Sequence, residues 1–475
     1  MPEPPRVAVV GGGITGLATA WYLRTGAGGL RPKVALFEAA PRLGGKIRTE
    51  ELAGVAVEAG PDTFLARVPH ATDLAHALGL GDELVAPATG AAYLWHRRRL
   101  HPLPAGTVLG VPVSARALLA TALLSPAGKT RAALDLVLPA SPFDPDPSVA
   151  DVVGGRLGRE VLDHLVEPLV GGIHAGRADA LSLRSTAPQL CAATELNRSL
   201  IRGLRADHRG APPAAGPVFY GVRGGMERLV DGLASSLNDV DRRAGTTISR
   251  LSPAVPGDGG HSRWRLHPTH GPAIEADAVV LTVPAFAAAA LLHDVAPEAS
   301  AELVAIRYSS VVTATLAYRP EALGRPLGGS GFLVPRAERR LVTACTFTSS
   351  KWPRADRSRP VLLRVSAGRF GDDRALGMDD HALVDRLHRE LAEMLGLAHA
   401  PVASRVDRWP QGFPQYEPGH DARVGRIEGH LPPGLFLAGA AYHGLGIAAC
   451  VAQAVAVAGQ VLNQLRSQPV ATRET

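Results

Sequence analysis

The feature that most limits how this chain can fold is a glycine cluster near its start, in residues 6–23, RVAVVGGGITGLATAWYL. The apolar, β-branched run before the cluster predicts a buried strand, and the residues after it predict a helix with a small-residue face. Gly11, Gly13 and Gly16 give the spacing G-x-G-x-x-G. In such a turn the first glycine permits a tight bend, the second lets the backbone approach a pyrophosphate, and the third lets helix and strand pack closely. On this motif alone, a plain glycine turn between strand and helix remains an open alternative.

A carboxylate follows at the position where a nucleotide-binding unit needs one. Residues 33–37 predict a second strand, which ends in Glu38. A carboxylate about twenty residues past the last glycine suits two hydrogen bonds to a ribose diol. The alternative, a solvated glutamate at a strand end, requires three features to coincide by chance.

The next segment, EAAPRLGGKIRT in residues 38–49, contains a second glycine-rich loop. It places Gly44 and Gly45 between Arg42 and Lys46, so another loop suited to anions follows the predicted ribose carboxylate. A simple NAD dehydrogenase does not require this loop. The stretch resembles the extended signature E-x-x-x-R-x-G-G of flavoprotein oxidases related to amine oxidases, so we expect FAD, bound non-covalently.

Composition places the chain among globular proteins with reduced thiols. Its 475 residues are enough for two or three domains, and 46% of them are hydrophobic. Cys191, Cys345 and Cys450 are widely spaced and form no C-x-x-C pair, which argues against a disulfide framework, a zinc cluster or a dithiol redox centre. We therefore expect no metal, and the cysteines give no support for a cysteinyl-linked flavin.

Charge and hydropathy favour a cytoplasmic protein that binds no nucleic acid. The net charge is +6, but the basic residues are interspersed with acids and form no evident stripe. The start, MPEPPRV, does not resemble a signal peptide, and no segment is typical of a transmembrane helix. A short apolar helix predicted at residues 117–124 leaves peripheral membrane contact open. Arg97, Arg98 and Arg99 form either a solvated loop or a docking point for an anionic substrate.

The order of patterns along the chain predicts an α/β protein with discontinuous domains. We expect an FAD-binding Rossmann-like domain from residues 1–70, 218–292 and 405–475, a mainly α-helical insertion at 71–217 that is a candidate for membrane contact, and a mixed-sheet substrate domain at 293–404. The stretch GLFLAGAAYHGLGIAACVAQAVAVAGQVL, residues 434–462, predicts a strand, a glycine loop and a long helix that close the cofactor site. The start of that helix is suited to stabilise negative charge on a reduced flavin.

Six further segments resemble one group of flavoproteins, the soluble bacterial porphyrinogen oxidases, which act on protoporphyrinogen IX or coproporphyrinogen III. These segments are GPDTFL (60–65), EPLVGGIHAGRADALSL (167–183), YGVRGGMERL (220–229), LVPRAERRLVTACTFTSSKWPRADR (333–357), RWPQGFPQYEPGH (408–420) and LAGAAYHGLGIAACV (437–451). They occur in the family's order and, with the opening turn, cover nearly the whole chain.

The resemblance implies a fold like that of p-hydroxybenzoate hydroxylase in the FAD domain, and a set of cofactor contacts. By position these are Gly11, Gly12, Gly13, Ile14, Thr15, Gly16, Glu38, Ala39, Arg42, Gly45, Lys46, Gly60, Pro61, Asp62, Thr63, Ile248, Trp409, Gly446, Ile447 and Ala448. Lys46 stands where many members of the superfamily have arginine, which keeps the charge but loses the bidentate fork. Arg97 and Gly172 are the candidates for substrate contact, and no residue is assigned a catalytic role.

The activity that the resemblance implies is the oxygen-dependent oxidation of coproporphyrinogen III to coproporphyrin III in haem biosynthesis. The reaction removes six electrons, so it needs three FAD hydride-transfer cycles, each giving hydrogen peroxide. Coproporphyrinogen carries four propionates and protoporphyrinogen two, so an arginine-rich pocket favours the former. Oxidation of protoporphyrinogen IX, an FAD amine oxidase and a non-catalytic scaffold of the haem pathway remain alternatives. Transient contact with other enzymes of that pathway is also left open.

Overall fold

We analysed a computed structural model, which describes residues 3–26, 30–139, 143–210, 216–254, 263–324, 326–352 and 360–467. Two sheets and a helical layer organise these residues. We call them the nucleotide sheet, the substrate sheet and the helical layer.

The nucleotide sheet consists of five parallel strands with the first strand of the chain at its centre. In spatial order they are Asp241–Ala244, Lys33–Glu38, Arg6–Val10, Ala278–Leu281 and Leu435–Leu437. Val7 and Val9 face one side, and Ala8 and Val10 face the other, because successive side chains of a strand alternate. Both sides are covered, which explains the uninterrupted apolar run before the glycine cluster.

Different elements cover the two faces of the nucleotide sheet. One face packs against the helices Ile14–Thr25, Pro69–Ala77, Glu227–Ser236 and Ile447–Ser467. The other face packs against the antiparallel strands Ile248–Pro253, Trp264–Pro268 and Ile274–Ala276 and the helices Ala285–Leu292, Pro297–Val304 and His420–Gly429. This layering places the start of the first helix and the end of the first strand at one edge, as in other dinucleotide-binding folds.

The substrate sheet has seven strands in mixed orientation. Their order is Ala403–Pro414, Tyr308–Tyr318, Val361–Ala367, Val342–Phe347, Gly331–Leu333, Ala92–His96 and Arg99–Pro102. The helix Asp380–Leu395 covers one face through Leu383, Leu387 and Leu391. The other face turns toward the nucleotide sheet, and a cavity lies between the two sheets.

Two parts of the substrate sheet come from stretches that the sequence assigns elsewhere. The hairpin Ala92–His96 and Arg99–Pro102 lies within the predicted helical insertion, and Ala403–Pro414 extends into the predicted FAD domain. Parallel pairing of Gly331–Leu333 with Ala92–His96 joins segments that are far apart along the chain. The predicted domain boundaries therefore remain a proposal, and three strands of the substrate sheet cross them.

The helical layer has its own apolar core. Its helices are Ala115–Ala120, Pro126–Ala133, Val149–Leu157, Arg159–Val161, the π-helix Leu162–Val166, Glu167–His174, Leu183–Thr186, Pro188–Leu196 and Leu200–Gly210. A buried ion pair between Arg156 and Asp135, 2.7 Å apart, ties two of its segments together. The last turn of Glu167–His174 reaches the space between the two sheets.

Short elements connect these layers. The strands are Thr49–Leu52 with Val55–Glu58, Phe64–Leu65 and Leu84–Val85 with Phe219–Val222, and Thr107–Val108 with Val111–Pro112. The short helical turns are Gly81–Glu83, Leu134–Leu136, Pro320–Ala322, Arg336–Glu338 and Thr348–Lys351.

Within the described part of the chain, one helix, Ile447–Ser467, is long and apolar enough to cross a bilayer. More than half of its most apolar stretch is buried against the protein, where it packs on Ile14–Thr25. Its apolar character is accounted for by the core of the nucleotide-binding half.

Candidate functional site

A single cavity of about 940 Å³ extends between the nucleotide sheet, the substrate sheet and the helical layer. Its wall takes residues from all three, among them Gly11, Thr313 and Gly172. The cavity therefore joins the predicted nucleotide turn to a chamber bordered by the substrate sheet.

Most residues predicted from the sequence lie on this wall. They are Gly11, Gly13, Ile14, Thr15, Glu38, Ala39, Gly45, Lys46, Gly60, Pro61, Thr63, Ile248, Trp409, Gly446, Ile447 and, on the helical layer, Gly172. The predicted residues outside the wall are Gly12, Gly16, Arg42, Asp62, Ala448 and Arg97.

The three glycines of the opening turn have different physical roles. Gly11 has φ +113°, and a Cβ there would stand 2.7 Å from the hydroxyl of Thr282. A Cβ on Gly16 would lie 1.8 Å from the carbonyl oxygen of Gly11, so only glycine permits this contact of helix and strand. Gly13 has no described atom within 4 Å of the position of a Cβ, and it lies on the cavity wall. A side chain at Gly13 would fill part of the cavity. A pyrophosphate group requires that this space stays open.

Two helices begin at the cavity with free N–H groups. The first bond within the helix Ile14–Thr25 runs from the N–H of Leu17 to the carbonyl of Gly13, and in Ile447–Ser467 from Cys450 to Gly446. The preceding N–H groups of each helix thus have no partner in the helix, and no acidic side chain lies in either first turn. Both N-termini are suited to negative charge on a ligand.

Glu38 is held in place before any ligand binds. Its two carboxylate oxygens accept hydrogen bonds from the N–H of Gly12 at 2.6 Å and of Ala40 at 2.8 Å. The carboxylate also lies on the cavity wall. Since each oxygen has a second lone pair, the group can still accept two hydroxyl hydrogens.

The glycine doublet is joined to the opening turn. The N–H of Gly44 donates to the carbonyl of Gly12 at 2.8 Å. The guanidinium of Arg42 donates to the carbonyls of Leu43 and Gly45, at 2.8 and 2.9 Å. Arg42 therefore positions the loop, and its guanidinium is directed at the loop rather than at the cavity.

Lys46 supplies positive charge to the cavity. Lys46 lies on the cavity wall, and burial lowers the pKa of its ammonium group. The thiol of Cys450 lies nearby, and burial raises the pKa of that thiol. A lysine with a lowered pKa favours an anionic ligand that would restore its charged form.

A second polar group lies where the substrate sheet meets the loop after the hairpin of residues 49–58. The ammonium of Lys351 contacts the carboxylate of Asp62 at 2.6 Å, and this pairing lowers the pKa of Asp62 despite its burial. Arg364, on the cavity wall, donates to the carbonyl of Gly60, while its Nε has no partner among the described residues. Asp62 thus supports the loop from behind the wall. Sequence patterns did not predict Arg364 as a site residue, although it occupies an inward position of an alternating strand.

Trp409 lies on the cavity wall, whereas Tyr442 does not. The indole N–H of Trp409 donates to the carbonyl of Ala59 at 3.0 Å, which fixes the ring on the cavity wall. Tyr442 is 2% exposed and packs in the core of the nucleotide-binding half. It forms no wall of the cavity, so it cannot be part of an aromatic cage around an amine there.

The structure places Arg97 away from the cavity. It occupies the tip of the hairpin 92–102 with φ +49°, and its N–H contacts Glu338 at 3.4 Å. The next residue, Arg98, pairs with Glu393 at 3.3 Å. Because the hairpin directs this turn outward, its position gives no support to a substrate role for Arg97 in this cavity.

Taken together, the wall fits a flavin dinucleotide. Gly13 leaves room for a pyrophosphate, Glu38 is set for a ribose, and both helix N-termini favour anionic groups. The described residues contain no group of three or more histidine, cysteine, aspartate or glutamate side chains that could hold a metal.

Comparisons with known proteins agree with this geometry. The family model for flavin-containing amine oxidoreductases matches residues 14–462. The chain is 34% identical to a coproporphyrinogen III oxidase of Bacillus subtilis, over 97% of this chain and 98% of that protein. It is 36% identical to one of Mycobacterium bovis, over 98% and 99%. A chloroplast protoporphyrinogen oxidase of Arabidopsis thaliana is 28% identical, over 96% and 87%.

A solved structure shows the same fold. It comes from Exiguobacterium sp. 255-15, and its protein is provisionally named a protoporphyrinogen oxidase. The TM-score is 0.85 at 32% identity, with 98% of this chain and all of that chain covered. The predicted fold class, an FAD-type Rossmann-like domain with a mixed-sheet second domain and a helical insertion, is confirmed. The chain belongs to the flavin-containing amine oxidoreductase family, in the group formed by its full-length coproporphyrinogen III oxidase relatives.

Proposed function

We propose that this protein is an oxygen-dependent coproporphyrinogen III oxidase that forms coproporphyrin III in haem biosynthesis. The observation that carries the proposal is the continuous cavity of about 940 Å³, which joins the nucleotide turn to a chamber against the substrate sheet and the helical layer. Such a cavity suits a large, flat macrocycle that must lie beside a bound cofactor. The full-length similarity to enzymes of that name supports the choice of reaction.

The reaction removes six electrons and six protons from the porphyrinogen, in three two-electron cycles. Bound FAD would accept a hydride equivalent in each cycle and pass the electrons to dioxygen, giving hydrogen peroxide. The protein's own residues hold and orient the two partners. Trp409 and Gly172 line the chamber on opposite elements, and the absence of a side chain at Gly172 leaves space for a planar ring.

We propose that FAD binds non-covalently. Cys450 is a thiol on the cavity wall, and burial raises its pKa, so it stays protonated and a poor nucleophile. Cys191 and Cys345 are buried elsewhere. The proposed cofactor contacts are the wall residues given above, with Asp62 and Arg42 supporting them from behind.

We also propose a cytoplasmic location with peripheral membrane contact through the helical layer. Leu119 and Val137 in that layer are each 67% exposed, so their apolar side chains are available for contact with a membrane surface. Transient contact with other enzymes of haem biosynthesis is part of the same proposal.

The test of the function is substrate-dependent reduction of the flavin. Purified holoprotein is mixed without oxygen with coproporphyrinogen III or protoporphyrinogen IX at matched concentrations, and flavin absorbance is followed. Oxygen is then admitted, and porphyrin fluorescence and peroxide are measured. We expect faster bleaching with coproporphyrinogen III and three peroxides per porphyrin formed.

The other outcomes separate the alternatives. Faster turnover of protoporphyrinogen IX would assign the second substrate. Bleaching by a primary amine and by neither porphyrinogen would indicate an amine oxidase. No bleaching by any substrate would leave a non-catalytic scaffold and contradict the proposal.

A further inference from the structure

The far wall of the cavity carries an arginine that neither the sequence patterns nor the proposed cofactor contacts account for. Arg369 follows the strand Val361–Ala367 and is 8% exposed. It lines the main cavity and also a second hollow of about 410 Å³ that is open to the outside. Its guanidinium is therefore the boundary between the two spaces.

This guanidinium has no partner of its own. Among the described residues, no hydrogen bond or ion pair is made by the side chain of Arg369. The nearby Arg336 lies 3.6 Å from the carboxylate of Glu167, and its Nη2 donates to the carbonyl of Phe370 at 2.9 Å. Asp372, in the same hollow, is engaged by Arg374 through two contacts of 2.8 Å. Arg336 lines the outer hollow and not the main cavity, whereas Arg369 lines both, and the carboxylate of Glu167 attracts both guanidinium groups.

The local backbone holds Arg369 in position. Gly368 and Gly371 have φ of +88° and +77°, so the chain turns sharply on both sides of the arginine. The N–H of Phe370 donates to the carbonyl of Ala175 at 2.7 Å, which ties the turn to the end of the helix Glu167–His174. The side chain is consequently presented by a fixed loop, which lowers the entropic cost of ligand binding.

The side chain of Arg369 is largely buried and makes no hydrogen bond to a described residue, so its donors are available to an anionic ligand in the cavity. A carboxylate is the group that matches its planar fork, through two parallel hydrogen bonds. We propose that Arg369 binds a propionate side chain of the porphyrinogen and thereby favours substrates with more carboxylates. This inference rests on the proposed function.

The number of carboxylates on the substrate affects its affinity through the orientations in which it can bind. A macrocycle with four propionates presents one to Arg369 in most of its orientations in the chamber, whereas one with two propionates does so in fewer. Binding at Arg369 therefore increases the affinity for the four-carboxylate substrate more strongly. The same residue is a specificity determinant rather than a catalytic residue.

The test compares Arg369→Met with Arg374→Met, an exposed and paired arginine of the same hollow that serves as a matched control. Coproporphyrin III and its neutral tetramethyl ester are titrated into each holoprotein, and Kd is read from porphyrin fluorescence. We expect Arg369→Met to raise the Kd for coproporphyrin III by about tenfold or more and to leave the Kd for the ester unchanged. Arg369→Lys should recover part of the loss, and Arg374→Met should bind like wild type.

Kinetics and stability complete the test. With coproporphyrinogen III, KM should rise in Arg369→Met while kcat stays within about twofold, since the arginine acts by binding. The Tm of the variant should stay close to that of wild type, because the substitution removes no hydrogen bond to a described residue. An unchanged Kd for coproporphyrin III, or an equal loss for the ester, would overturn the inference. Failure of wild type to oxidise either porphyrinogen would instead contradict the proposed function.

Discussion

At the scale of single residues, the opening turn shows that one motif serves two purposes. Gly16 is required for packing, because a Cβ would overlap the carbonyl of Gly11. The fold itself does not require glycine at position 13, because the position of a Cβ there is open and the φ of −72° suits any residue. Its role is therefore expected to appear only when the cofactor binds.

This difference makes Gly13→Ala a test of the nucleotide site. We expect the apoprotein to fold with a Tm like that of wild type, and its affinity for FAD to fall by about tenfold or more, or about 1.4 kcal/mol. Quenching of flavin fluorescence during titration of the apoprotein measures the affinity. Gly377→Ala, at another open position away from the cavity, should bind FAD normally. Equal affinities for Gly13→Ala and wild type would remove the pyrophosphate from this turn.

At the scale of elements, the hairpin formed by Thr49–Leu52 and Val55–Glu58 carries a carboxyl group with an altered titration. Burial raises the pKa of Glu58 to about 7, although the N–H of Met226 donates to one oxygen at 2.8 Å and the hydroxyl of Thr49 to the other at 3.0 Å. The hydrogen bonds link the hairpin to the start of the helix Glu227–Ser236. These hydrogen bonds favour the ionised carboxylate, but burial disfavours it more strongly, so the pKa of Glu58 lies above its usual range.

The free energy of unfolding should therefore depend on pH through Glu58. Its folded pKa lies above the unfolded value, so the native state binds more protons between pH 4.5 and about 7, and stability falls as pH rises through that window. Two and a half pKa units correspond to at most about 3 kcal/mol. Glu58→Gln should flatten this dependence, as measured by urea unfolding from pH 5 to 8. Glu51→Gln, exposed on the same hairpin, should leave it unchanged; an unaltered slope in Glu58→Gln would contradict the assignment.

At the scale of the whole molecule, ionic contacts join the nucleotide-binding half to the substrate sheet. The pair of Asp62 and Lys351 spans 289 residues of sequence, and the pair of Arg48 and Asp407 spans 359. Both pairs lie beside the cavity, between the two bodies that form its walls. They link the nucleotide-binding half to the substrate sheet on the two sides of the cavity.

Removing one partner of the Asp62 and Lys351 pair should destabilise the protein more than removing both. We expect Lys351→Met to lower the free energy of unfolding by up to about 3 kcal/mol, since it leaves a buried carboxylate without its cation. The double variant Asp62→Asn with Lys351→Met should recover part of this loss. A double-mutant cycle by chemical denaturation measures the coupling. Additive effects of the two single changes would show that the pair does not act as a unit.

Sequence patterns were most informative where the chemistry depends on neighbouring residues. The glycine turn, Glu38 and the second glycine loop follow one another within the first 50 residues, and the structure brings them to one cavity. The long closing helix was also predicted, and its apolar face packs on the first helix. The assignment of individual residues to FAD contact remains a prediction that the variants above test.

Sequence patterns did not predict which arginines line the cavity. Arg97 was singled out because three arginines are adjacent, yet adjacency at a hairpin tip directs them outward. Arg369, which like Arg364 lines the cavity, has no arginine beside it in the sequence. Only the pairing of strands and the loop between Gly368 and Gly371 bring it there.

The sequence by itself determined the nucleotide-binding unit, its cofactor class and the family, because strand, turn and helix within a short segment follow local rules of backbone geometry. The tertiary structure decided which strands form the substrate sheet, which arginines line the cavity, and that Arg42 and Asp62 support its wall from outside. These features depend on contacts between residues that are hundreds of positions apart. Such contacts are set by the packing of whole layers and leave no periodic signal in the chain.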